Sequence, residues 1–159
     1  MRAFVPLFQQ FRADRRGSTT VEFVMIVPLL VSALTFGFEF GRGLWAYDVV
    51  TRDVRSVIRY LSRVSPYDAT AKTQATAVAK TGSPGGTVLH FPWTNAATIT
   101  YTDTTFTTAN YNIDGTVITA TATVPITLSL LSILNSFGNS SVTTTYTLTV
   151  TDQARWIGN

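Results

Sequence analysis

Glu22 is the residue in this chain whose placement most demands a chemical explanation. It lies in Arg15-Arg16-Gly17-Ser18-Thr19-Thr20-Val21-Glu22-Phe23, where a basic leader stops at a glycine and an apolar stretch begins. A charge carried into hydrocarbon loses its hydration, so an acid in such a stretch marks function by default. The chemistry open to it is ion pairing with a cation supplied by a neighbour. Snorkelling of the carboxylate to the near interface, five residues into the helix, is the plainer alternative. The placement implies a membrane subunit that is processed and then packed into an assembly.

Other charged residues offer pairing rather than catalysis. Glu39 and Arg42 fall at the far edge of the apolar stretch, spaced for an interfacial ion pair. Arg52, Arg55, Arg59 and Arg63 recur at helical spacing and read as a solvated face, or as a contact with another subunit or anionic headgroups. His90 is the sole histidine and sits between Leu89 and Phe91, without companions for a metal. Asp68, Asp103, Asp114 and Asp152 show no paired spacing. No serine or threonine has the base and orienting group that a nucleophile needs. No enzyme activity, cofactor or metal is therefore expected. With no cysteine in the chain, disulfides and thiolate metal sites are excluded.

The element that positions Glu22 is a membrane helix. Ser18 to Phe38 contains one charged residue and spans roughly 31 Å at helical rise, close to the hydrocarbon thickness of a bilayer. Pro28 interrupts the run, which membrane helices tolerate. Arg2, Arg12, Arg15 and Arg16 precede it against Asp14 alone, so the positive-inside tendency keeps the N-terminus cytoplasmic and exports the rest. A cleaved secretory signal has a shorter core and a small-residue site behind it, whereas Glu39-Phe40-Gly41-Arg42 follows here. A retained anchor is the better reading. Trp45 suits the outer interfacial belt.

The formal charge of +3 comes from the leader, because residues 18–159 hold eight basic and eight acidic side chains. A nucleic-acid role needs a basic surface on the folded domain, and that balance argues against one.

Past the anchor, Leu44, Tyr47, Val50, Val54, Val57, Ile58, Leu61 and Val64 form one face of an amphipathic helix. The four arginines lie opposite that face, and Asp48 precedes Arg52 by four residues, the favourable order for a helix ion pair. One helix from Ser18 to about Val64 is expected. Gly37, Gly41 and Gly43 mark a junction where the helix bends or another backbone approaches closely. Ser65-Pro66-Tyr67-Asp68 predicts a capped helix over about Pro66 to Lys80, with Ala71, Ala75, Val78 and Ala79 inward. Thr81-Gly82-Ser83-Pro84-Gly85-Gly86 ends it.

Residues 98–151 include 18 threonines, and a β-branched composition that dense reads as strand. Ile99 and Tyr101, then Ile118, Ala120, Ala122 and Val124, then Val142, Tyr146, Leu148 and Val150 keep the two-residue period of half-buried strands. Asn112-Ile113-Asp114-Gly115 predicts a turn. The fold class is α+β, with a long N-terminal transmembrane and amphipathic helix packed on a C-terminal antiparallel sheet of three or four strands. Pro125 to Phe137 is too apolar for a surface loop; it tucks under the sheet, or forms a patch covered by another subunit or the membrane. Trp93 and Trp156 read as packing residues, and Asn139-Ser140-Ser141 as a chance glycosylation pattern as readily as a designed one. The organisation is a leader over 1–17, a transmembrane helix over 18–40, an amphipathic continuation over 41–64 and an exported domain over 65–159.

Together the leader, the Gly17/Glu22 spacing, Pro28 and Phe38-Glu39-Phe40-Gly41-Arg42 resemble the TadE-like pseudopilins. These are minor subunits of the Tad (tight adherence, Flp-type) pilus machinery, a branch of the type IV pilus systems. Val54-Arg55-Ser56-Val57-Ile58-Arg59-Tyr60-Leu61 is similar to the arginine-bearing helix behind the anchor in that family, and the late strands are loosely similar in order. TadF- and TadG-like proteins share the leader. The resemblance implies that a prepilin peptidase cuts between Gly17 and Ser18, making Glu22 the fifth residue of the mature chain. It also implies inner-membrane residence with a periplasmic domain, and as partners other pilins, pseudopilins and the assembly platform. Phe23 stands where major Flp pilins often carry tyrosine, and the exported domain is longer than theirs, which favours a minor subunit over the main building block. The competing expectation is an unprocessed, anchored periplasmic module for binding or adhesion.

Overall fold

A computed structural model of the chain describes residues 17–108, 113–130 and 144–158. The chain divides into two units, residues 1–38 and 39–159. Helix α1, Ser18–Leu61, supplies the described secondary structure of the first and opens the second.

In the first unit α1 is apolar and open on every side. Val21, Phe23, Met25, Leu29, Leu34 and Phe38 are all exposed in the isolated chain. Among the described residues α1 is the one helix long and apolar enough to cross a membrane. Two of its hydroxyls are satisfied by the helix's own backbone. Ser32 Oγ donates to the Pro28 carbonyl at 2.7 Å and Thr35 Oγ1 to the Val31 carbonyl at 2.8 Å.

The second unit is built on the remaining part of α1. Ala46, Val50, Val54, Val57, Ile58 and Leu61 are buried at intervals of three and four. The stripe differs from the expected one at its start. Leu44 and Tyr47 are 56% and 51% exposed, and the small Ala46 takes the inward place. The helix ends at Leu61, three residues before the expected Val64.

Helix α2, Ala69–Thr81, starts three residues later than expected. Its cap is Asp68, whose extended backbone lets the carboxylate accept from Ala71 N at 2.8 Å, rather than Ser65. Ala71, Ala75 and Ala79 are buried as expected, while Val78 is only half-buried. Gly82 ends the helix at φ +79°, donating its N–H to the Val78 carbonyl.

Three antiparallel strands follow in the order β1 (Thr98–Thr108), β2 (Ile113–Thr127), β3 (Thr145–Arg155). The register sets Ile99 beside Ala122 and Val150, and Tyr101 beside Ala120 and Asp152. Ile118, Ala120, Ala122, Val124 and Ile126 of the central strand join the α1 stripe and the α2 alanines in one core. On the other face Thr100, Thr121 and Thr151 align, with the last two hydroxyls 3.0 Å apart. β-Branched side chains suit both faces, which is why threonine-rich sequence makes this sheet. The expected turn at 112–115 is corrected: Ile113, Asp114 and Gly115 pair with Thr108, Thr107 and Phe106 inside the ladder. Gly115 belongs there because the Phe106 ring lies where its Cβ would be. Residues 131–137 of the apolar stretch, Val142 and Asn139-Ser140-Ser141 fall outside the described residues.

Polar contacts tie the connections to the core. Asp53 Oδ2 accepts from Trp93 Nε1 at 2.7 Å and lies 3.0 Å from His90 Nε2, holding the 82–97 loop on α1. After β3, Ile157 N donates to the Ser62 carbonyl and Trp156 Nε1 to the Val64 carbonyl.

A second network joins α2 to β1. Asp103 accepts from Tyr67 Oη at 2.5 Å and from Lys72 Nζ at 2.9 Å. Burial opposes ionisation of Asp103, but the Lys72 ammonium and the Tyr67 hydroxyl outweigh it and hold the carboxyl below its ordinary value. Burial and the same carboxylate push the Tyr67 hydroxyl well up. A carboxyl depressed on folding contributes stability above its unfolded value of 3.8, lost as pH falls through the folded value. The thermal midpoint is therefore expected to drop on acidification below about pH 4, and Asp103→Asn to flatten that drop. A titration of midpoint against pH in both proteins checks it; equal slopes would exclude Asp103 as a contributor.

Candidate functional site

The N-terminal end of α1 carries the residues expected to be cut and paired. Gly17 is exposed, and its carbonyl accepts from Val21 N at 3.1 Å, so it stands just outside the first turn. A Cβ on Gly17 would meet nothing within 4 Å. Among the described residues the fold places no packing demand for glycine here. Ser18 opens the helix and Glu22 follows one turn later on the same face. Glu22 and Phe23 are both exposed, and Glu22 has no side-chain partner among the described residues.

A second cluster forms where the second unit begins. Glu39 is 5% exposed, and its Oε1 accepts from Leu130 N at 2.6 Å. Arg42 Nη1 lies 3.6 Å from Glu39 Oε2 and donates to the Thr127 carbonyl at 3.0 Å. The pair that the sequence reading placed at the interface clamps the end of β2 and the residues after it. Glu39 Oε2 is buried without a hydrogen bond, leaving the arginine charge as its compensation. A Cβ on Gly43 would come within 2.7 Å of Tyr146 Oη, so the close approach at the glycine junction is by a side chain and not by the expected backbone. Gly37 and Gly41 have open space around them. Trp45 stacks on Phe91 with ring centroids 4.7 Å apart, and the Arg42 guanidinium lies 5.3 Å from the centre of the Phe91 ring.

The third feature is the arginine face. Arg52, Arg55, Arg59 and Arg63 are all exposed. Arg52 pairs with Asp48 at 3.1 Å, in the order the sequence set. The guanidiniums of Arg55, Arg59 and Arg63 have no partner among the described residues. An open groove of about 410 Å³, lined by Ser56, Arg59, Tyr60, Arg63 and Val64, runs along this face. The structure does not bring these arginines to Glu39 and Arg42.

Sequence reasoning missed Asp53, the acid that holds both His90 and Trp93. The available signal was an acid inside the Val50/Val54/Val57 stripe, where a charged side chain calls for a partner. It also missed the grip of Glu39 on Leu130, because the two are 91 residues apart in the chain. Among the described residues no group of three or more His, Cys, Asp or Glu is placed to hold a metal ion.

No curated protein and no solved structure matches the chain. A family model described as TadE-like protein matches residues 17–59, from Gly17 to Arg59 on the arginine face. By that match, over the membrane helix and its amphipathic continuation, the chain is consistent with a TadE-like protein of the Tad pilus system.

Proposed function

We propose that this protein is a minor pseudopilin, a structural subunit that helps initiate or cap a Tad pilus used in surface adherence. The supporting observation is that the family match begins at Gly17 and runs to Arg59, over nearly all of the one helix among the described residues that is long and apolar enough to cross a membrane. In this reading the leader stays cytoplasmic, the exported unit is periplasmic, and a prepilin peptidase cuts between Gly17 and Ser18. Cleavage would remove the carbonyl that Val21 N uses and create an ammonium on Ser18 at the positive end of the helix dipole. That charge calls for a carboxylate, and Glu22 is the carboxylate within reach, on the same chain one turn away or on a neighbouring subunit.

The mass of the membrane-extracted protein tests the reading. A mature N-terminus at Ser18 is expected in cells that hold the peptidase, and any other mature end rules the reading out. Gly17→Arg is expected to abolish cleavage and piliation while membrane insertion and the exported fold stay unchanged, since the position is unpacked. Normal piliation in that variant would be fatal to the processing claim.

A second reading, an unprocessed anchored module that binds a surface or partner, draws on the aligned threonine hydroxyls of the outer sheet face. It is favoured if the full-length mass persists and partner binding is independent of Glu22.

A further inference from the structure

We propose that the Arg55–Arg59–Arg63 face docks against an acidic face of a different subunit. The inference deepens the pilus-subunit reading and rests on it for the expectation that the partner is another subunit. Three exposed guanidiniums lie along one side of α1, or just beyond its end at Arg63, and none has a partner among the described residues. Arg52, by contrast, is already matched by Asp48.

The surface has shape as well as charge. Tyr60 and Val64 floor the groove between Arg59 and Arg63, and Tyr60 Oη is fixed by donation to Gln74 Oε1 at 2.7 Å. A guanidinium fork on a partly apolar floor suits carboxylates carried on a side chain stem.

Charge complementarity selects the occupant. A second copy presenting this same face would set arginine against arginine, which like-charge repulsion disfavours. Anionic headgroups carry phosphates, and an adduct with lipid in a crosslinking test counts against a subunit. An acidic face on a different subunit avoids the like-charge objection and offers the planar carboxylates that a guanidinium fork fits.

The test uses full-length protein in membranes that contain the other pilus components, with a photo-crosslinking residue in place of Ser56. Ser56 is exposed between Arg55 and Arg59, and its hydroxyl only back-bonds to the Arg52 carbonyl. The expected result is an adduct with a different protein through an Asp/Glu-rich peptide. Its yield is expected to fall about tenfold or more in Arg55→Glu/Arg59→Glu and to recover when the partner acids become lysine. An adduct with a second copy, with lipid or with the chain itself overturns the proposal, as does no adduct or one indifferent to charge reversal. If the double glutamate variant loses its thermal transition, Arg55→Gln/Arg59→Gln replaces it, with the same fall expected. The mature N-terminus is measured in the same membranes. A chain that begins at Ser18 but gives no acidic adduct sinks the docking face alone, whereas an uncut chain sinks the pilus reading.

Discussion

Glu22→Ala is expected to leave the chain inserted and folded while abolishing its co-isolation with other pilins. The carboxylate contributes nothing visible to the isolated chain: it is exposed and has no side-chain partner among the described residues. Its removal relieves a cost of up to about 2.5–3.5 kcal/mol, the insertion penalty for an acid at mid-membrane and less near a helix end. Insertion is therefore expected to be as good or better in the variant. The thermal transition of the exported unit is expected to be unchanged, because no residue of that unit is altered. What disappears is the countercharge for an ammonium on Ser18. Affinity purification from detergent-solubilised membranes, with insertion scored by carbonate extraction, checks all three expectations. Co-isolation at the native level would end the case for Glu22 as a pairing residue and leave it a snorkelling side chain.

Leu61→Ala carries the largest expected effect on stability. Leu61 is fully buried at the end of α1 and belongs to the single core shared by both helices and the sheet. Truncating a buried leucine to alanine costs about 2–5 kcal/mol, transfer and cavity together. Against a total of about 5–15 kcal/mol for a domain, that is a large share. A fall of about 10 °C or more in the thermal midpoint is expected for a unit of this size. Leu44→Ala is the matched control. Leu44 is 56% exposed, and a surface change of this kind stays within about 0.5 kcal/mol. Circular dichroism melts of the full chain in detergent separate the two. Equal melts would mean that α1 is not part of the cooperative core.

The contrast between Leu44 and Leu61 also shows where periodicity stops being informative. Both sit on one apolar stripe at helical spacing, and hydropathy ranks them alike. Which of them is buried depends on the rotation of α1 over the sheet, and the buried Ala46 marks the side that faces inward. A small residue gives almost no hydropathy signal, so that rotation could not be read in advance. The same holds for Asp68. It and Ser65 are both good caps, and the choice between them lay with the backbone that brings a carboxylate onto Ala71 N.

Asp53, Glu39 and Asp103 were hidden for a different reason. Each is a carboxylate whose meaning depends on a donor far along the chain: Trp93 for the first, Leu130 for the second, Tyr67 and Lys72 for the third. One-dimensional spacing cannot register such pairings, because they exist only after the 82–97 loop, β1 and the residues following β2 have been laid against the helices.

What the sequence determined by itself was local or periodic. The span of 21 residues, the arginine spacing opposite the valine stripe, the glycine stop at Gly82 and the alternating threonine strands need only rise per residue, side-chain direction and backbone sterics. Tertiary structure decided which acids are caged and which arginines remain open. A buried carboxylate keeps its charge only where folding supplies donors, and a guanidinium stays available only where the fold brings no carboxylate to it.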